Sequence, residues 1–278
     1  MDYKLHKSDI DIQIYERGNT TSNILIVFLH GGPGSGAKPL MELSSFQRLE
    51  ESYHCIYFDQ RGSGLSTYEL RKGLPKELIS KDVYDVIQDC KRRWRHKKVI
   101  LWGGSFGGLL SCIYMECYGD VDGLILSSPA ITFERFQALE MFERTKSMME
   151  ERLAVNKPET SMKEDVIEPE QVFKDEHFLN FIYSPQNPSN SLKHIAAMSS
   201  WFYKYQATNA LACIAVPTLI MIGKEDPICD ANVILNKVND IQNSWITSYG
   251  LSPCGHAVFE DREDDFICTI EEFINSNF

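Results

Sequence analysis

Gly103-Gly104-Ser105-Phe106-Gly107 sets a serine among glycines, between the apolar run Val99-Ile100-Leu101-Trp102 and a helix-like stretch from Leu109. A chain reversing from strand to helix crowds the positions two before and two after the serine, where a Cβ would clash. The chemistry on offer is nucleophilic attack by the Ser105 hydroxyl, held in a strained backbone conformation. A hydroxyl attacks poorly unless a base takes its proton, and the base needs an acid to fix its tautomer and stabilise the imidazolium. Ser105 therefore predicts two partners further along the chain.

In a strand-turn-helix setting of this kind the partners follow in the order acid, then histidine, each in a loop after a strand. Gly223-Lys224-Glu225-Asp226-Pro227 follows one apolar strand, and Asp226 is the best acid there, ahead of Glu225 and Asp230. Ser252-Pro253-Cys254-Gly255-His256 follows the last strand-like segment and precedes a terminal helix, which places the base at His256. Taken alone, a serine near glycines is often only a turn, an aspartate after a strand a helix cap, and a histidine structural. Their order and placement single them out.

A third loop, His30-Gly31-Gly32-Pro33-Gly34, ends another apolar strand, and its glycines let backbone N–H groups approach a substrate. Acyl transfer creates a tetrahedral oxyanion, and losing one donor to it costs about 2.7–4 kcal/mol. The donors expected are the N–H groups of Gly32 and Phe106. His30 is expected to shape the loop rather than to move protons.

These loops need a scaffold. Strand-like segments at Asp11–Tyr15, Ile24–Leu29, Cys55–Phe58, Val99–Trp102, Gly123–Ser127, Val216–Gly223 and Ser244–Tyr249 alternate with amphipathic stretches, which implies a mostly parallel sheet. Continuous apolar runs require helices on both faces, while the alternating first segment reads as an edge strand. From Ile131 to Ala212 the chain turns rich in Glu, Met and aromatics with helical spacing. The expected division is a core of residues 1–130 and 213–278 with a helical cap of 131–212, and a terminal helix over Asp261–Asn275.

The 278 residues carry a net charge of −11, which disfavours a nucleic-acid binder. The one basic cluster, Lys91 to Lys98, reads as a solvated helix end whose cations complement the dipole. No apolar run reaches the roughly 18 residues that span a bilayer, and residues 1–9 lack a secretory signal, so the expectation is a cytoplasmic protein without a membrane partner. The eight cysteines lack C-x-x-C spacing and read as reduced thiols, most of them small core residues. Cys229 and Cys254 stand out for their closeness to Asp226 and His256.

His30–Gly34, Asp59-Gln60-Arg61-Gly62-Ser63-Gly64-Leu65-Ser66, Gly103–Gly108 and, more loosely, Gly255–Glu260 together resemble the α/β-hydrolase superfamily, and within it the proline iminopeptidase-like serine peptidases. The resemblance covers the chain outside the cap. It implies the α/β-hydrolase fold: an eight-stranded, mostly parallel sheet, an inserted helical cap after the sixth strand, no metal and no organic cofactor. It also implies an acyl-enzyme mechanism on a small-molecule or short-peptide substrate, with release of an N-terminal residue, often proline. Asp59 and Arg61 read as an ion pair organising loops near the site. Recognition of a charged amine calls for a carboxylate, and Glu134, Asp175 and Glu176, with Glu140 and Glu143 beside them, are candidates. The alternatives are an esterase, thioesterase or lactonase with cap aromatics such as Phe133, Phe142 and Phe202 lining an acyl pocket, and a non-catalytic binding protein on the same scaffold.

Overall fold

Leu25 to Leu29, Val99 to Trp102 and Gly123 to Ser127 show no polar alternation, so each needs cover on both faces, and each forms a central strand. The structure, a computed structural model, describes residues 1–70, 73–95, 97–134, 136–141, 143–144, 147, 180 and 189–278. Eight strands make one sheet: β1 (Asp2–His6), β2 (Asp11–Gly18), β3 (Ile24–Leu29), β4 (His54–Phe58), β5 (Lys98–Gly104), β6 (Gly123–Ser127), β7 (Thr218–Gly223) and β8 (Ile246–Leu251). Their order is β1-β2-β4-β3-β5-β6-β7-β8. β1 pairs with β2 and β2 with β4 antiparallel, and the rest run parallel. The expected edge strand is thus corrected. β2 lies one place in, and β1, with only Tyr3 and Leu5 apolar, takes the edge.

The helices are α1 (Lys38–Met41), α2 (Ser44–Ser52), α3 (Lys76–Arg93), α4 (Phe106–Cys117), α5 (Asn190–Met198), α6 (Thr208–Cys213), α7 (Ala231–Ile241), α8 (Val258–Asp261) and α9 (Glu263–Asn277). Alternate residues of β3 point to opposite faces. Leu25, Val27 and Leu29 join a core with α3, α4 and α7, whereas Ile26 and Phe28 join one with α2 and α9. On the second face Phe28 stacks on Tyr57 at 4.6 Å and Trp102 meets Phe46 edge-on at 5.1 Å. Each such fully buried side chain contributes about 1.5–3 kcal/mol of burial.

The expected terminal helix is α9, and the short α8 precedes it, the two meeting at Arg262. Lys91, Arg92 and Arg93 close the last turn of α3, where Arg92 and Arg93 pair with Asp89 and Lys91 with Asp120. All eight cysteines are free thiols, five of them buried. Among the described residues of 131–212 there is no strand.

A second expectation fails. Asp59 and Arg61 do not pair with each other. The Arg61 guanidinium, fully buried, donates through Nε and Nη2 to Asp82 at 2.7 and 2.8 Å and through Nη1 to Asp9 at 2.6 Å. Asp59 instead accepts from the N–H groups of Ala37 and Leu65 and from the Tyr15 hydroxyl, each at 2.8 Å. The two residues, in the loop after β4, find separate partners on different elements.

Candidate active site

Ser105 occupies the turn between β5 and α4 with φ 52° and ψ −118°, a conformation costly for a residue with a Cβ. Close approach explains the glycines around it. A Cβ on Gly103 would lie 2.4 Å from the Gly107 carbonyl oxygen, and one on Gly107 would lie 2.1 Å from the Leu29 carbonyl oxygen. The turn is fastened to the sheet by Ser105 N–H donating to Ser127 O at 3.0 Å, and Ser105 O accepts from Gly108, Leu109 and Ala130. Ser105 stands at the N-cap of α4, yet its hydroxyl caps no helix N–H. The Phe106 N–H, at the positive end of α4, donates to nothing among the described residues.

The loops after β7 and β8 bring Asp226 and His256 together. His256 Nδ1 lies 2.7 Å from Asp226 Oδ2, and the Asp226 side chain is fully buried while the imidazole is about a quarter exposed. The other carboxylate oxygen accepts from the N–H groups of Ile228 and Cys229 at 2.8 and 2.9 Å. A carboxylate holding three donors stays an acceptor and fixes the proton of His256 on Nδ1, leaving Nε2 to accept.

The two alternative acids have other work. Asp230 caps α7 by accepting from Asn232 and Val233. Glu225 ties the two loops together, accepting from Ser252 Oγ and from Cys254 N–H, each at 2.7 Å. These bonds, that to Cys254 first, hold its carboxyl below the usual value. The His256 loop is fixed further by Gly255 N–H on Asp261 at 2.7 Å. Nothing in the local sequence marks Glu225 for this role.

His30 is buried, and burial lowers its imidazole to about pKa 4. Its Nε2 accepts from Gln60 N–H at 3.1 Å, so its Nδ1 carries the proton and donates to Gly31 O at 2.9 Å. Gly31 O also accepts from Ser35 N–H at 3.4 Å. In a planar peptide the next N–H points away from that carbonyl, so both donors aim the Gly32 N–H to the opposite side. Gly31 itself crosses Ser105 so closely that a Cβ there would lie 3.2 Å from Ser105 Cβ.

Of the proposed amine-binding acids, Glu134 is exposed and pairs with Lys237 at 3.4 Å. Glu140 borders a small cavity with Arg144, Cys229 and Asp230. Asp175 and Glu176 lie outside the described residues, as does Phe142. Phe133 and Phe202 are buried, and Phe202 packs on Phe106 at 5.9 Å.

Asp226, Cys229 and His256 bring potential ligand atoms within 4.8 Å of one another. The carboxylate and imidazole are bonded to each other, and burial raises the Cys229 thiol well above its usual value. The set fits a hydrogen-bonded relay better than a metal cage. Cys254 is also raised by burial, to about 11, so neither thiol is a ready nucleophile.

An eight-stranded sheet of this order, with a serine turn after its fifth strand and an Asp–His pair after the last two, defines an α/β-hydrolase. Residues 22–263 match the family described as serine aminopeptidase, S33, and the chain belongs to that family. It is 26% identical to a proline iminopeptidase of Lactobacillus acidophilus, over 94% of this chain and 93% of that protein. The identity to a proline iminopeptidase of Thermoplasma volcanium is 25%, over 91% and 89%. Among solved structures, an esterase from Exiguobacterium antarcticum matches with a TM-score of 0.68 at 22% identity, over 99% of this chain and all of that one. Esterase RhEst1 from a Rhodococcus species matches with a TM-score of 0.67 at 19% identity, over 100% and 99%. Among the described residues no helix is long and apolar enough to cross a membrane.

Proposed function

We propose that the protein is a serine hydrolase of proline iminopeptidase type, releasing an N-terminal residue from a short peptide through an acyl-enzyme. Ser105 attacks the carbonyl carbon as His256 Nε2 takes its proton. Asp226 holds the imidazole and stabilises its charge, and the N–H groups of Gly32 and Phe106 receive the oxyanion. The protonated imidazole then gives its proton to the leaving amine. A water, deprotonated by the same imidazole, hydrolyses the ester to Ser105. Much of the helical cap expected over residues 131–212 lies outside the described residues.

The observation that carries the reading is the 2.7 Å Asp226–His256 contact, which follows the carboxyl ends of β7 and β8 as the strained Ser105 follows that of the parallel β5. The relatives named proline iminopeptidase, which match along nearly the whole chain, support the peptidase side. The exposed, Lys237-paired state of Glu134 favours a second reading, an esterase acting on small acyl groups.

Hydrolysis of prolyl and other aminoacyl arylamides, the same compounds with a blocked amine, and short acyl esters separates the two. A peptidase loses activity when the amine is blocked, whereas an esterase prefers the esters in every case. Labelling by a fluorophosphonate, absent in Ser105→Ala, tests against a non-catalytic binding protein. A chain that folds, labels nowhere and turns over none of these substrates overturns the proposal.

A further inference from the structure

Three side chains on the first turns of α5 reach across to the loop that holds the candidate oxyanion donor. Asn190 Nδ2 donates to the carbonyl oxygens of Gly34 at 2.9 Å and Gly62 at 3.0 Å. Only the NH2 end of the amide can serve two carbonyls, so its orientation is fixed by chemistry. Ser191 Oγ donates to Pro33 O at 2.7 Å. The buried His194 ring sits between Asn190 O and Arg61 O, 2.9 Å from each, and lies so close to the loop that a Cβ on Gly34 would be 2.5 Å from its Nδ1.

We propose that Asn190, Ser191 and His194 are positioning residues for catalysis: seated on the loop, α5 sets the direction of the Gly32 N–H. The inference rests on the reading of Gly32 as an oxyanion donor. Its route is short, hydrogen bonds linked by planar peptides. Asn190 and Ser191 fix the peptide planes that follow Pro33 and Gly34. The second of those planes carries the Ser35 N–H that donates to Gly31 O, and the Gly31 carbonyl sets the Gly32 N–H across the same planar peptide. Turning the loop carbonyls loose removes the Ser35 donor and leaves the Gly31 carbonyl held by His30 Nδ1 alone, so that peptide can tilt out of line. The oxyanion then loses a donor, while the ground-state substrate, which does not yet carry the charge, binds as before.

The test compares Asn190→Asp, which sets a carboxylate against two carbonyls, with the milder Ser191→Ala and the conservative Ser191→Thr. Each is measured for kcat and KM per fluorophosphonate-titrated site, for the affinity of a trifluoromethyl ketone that forms a tetrahedral adduct, for that of an unreactive competitive inhibitor, and for melting temperature. Asn190→Asp is expected to lower kcat about 100-fold and to weaken the ketone by a like factor, with KM and the unreactive inhibitor within about threefold. Ser191→Ala follows in the same direction by a smaller factor, and Ser191→Thr keeps wild-type kcat. Wild-type kcat per titrated site in both Asn190→Asp and Ser191→Ala overturns the inference. So does a parallel loss of ketone and unreactive-inhibitor affinity. Wild-type protein that fails to label at Ser105 overturns the serine-hydrolase reading as well, which separates the two failures.

Discussion

Asp226→Asn is the sharpest perturbation of the proposed relay, because it changes one atom and leaves the loop standing. The side-chain oxygen of an asparagine can still accept from the Ile228 and Cys229 N–H groups, which now bond at 2.8 and 2.9 Å. Its NH2 then faces His256 Nδ1 at the 2.7 Å position and can only donate, so the imidazole proton moves to Nε2, where the base should accept. When the orienting carboxylate of such a relay becomes an amide, kcat falls about 10⁴-fold, equivalent to about 5 kcal/mol of barrier. Stability should change little, since two of three acceptor bonds persist. Asp226→Ala, by contrast, orphans two N–H groups and should destabilise by about 1–3 kcal/mol for each one that stays buried. The assay is steady-state turnover of the preferred arylamide or ester, beside urea unfolding of both variants. A kcat loss below about tenfold in a folded Asp226→Asn protein refutes the assignment of Asp226 as orienter.

Gly107→Ala pushes a methyl to within 2.1 Å of the Leu29 carbonyl, where backbone cannot yield cheaply, and should cost about 1–3 kcal/mol or more by urea unfolding. Arg61→Met strips the buried Asp82 of its bidentate partner and should destabilise by about 3–5 kcal/mol, with Arg61→Met/Asp82→Asn recovering part of that loss in a double-mutant cycle. His30, lowered by burial from an ordinary 6.5 to about 4, stays neutral in the fold where the unfolded chain takes up a proton. Its contribution, on the order of 3 kcal/mol, is complete above pH 6.5 and lost as pH falls from there toward 4, so the slope of stability against pH in that window should flatten in His30→Gln.

The sequence determined the parts whose chemistry or geometry permits few residue types. A turn with Cβ clearances of 2.1–2.4 Å admits only glycine at 103 and 107, so the serine between them was legible as a candidate nucleophile. Loop residues after strands were legible for a related reason: the end of an apolar or alternating run marks the end of the strand, and Asp226 and His256 follow such ends. The seven recognised strands and the two-sided cover of the sheet came from the same local patterning.

Tertiary structure decided which parts meet. β1 alternates only Tyr3 and Leu5 with polar residues because an edge strand needs little burial, and its register on β2 makes it a strand. Asp59 and Arg61, two residues apart, separate to partners on different elements, a choice no local spacing encodes. Glu225 joins loops 27 and 29 residues apart, and Asn190 grips a glycine 156 residues earlier. Local sequence records how exposed each position will be and what its side chain can donate or accept. The identity of the partner waits on the path of the chain, because a hydrogen bond spanning 156 residues exists only after the sheet has placed both ends within 3 Å.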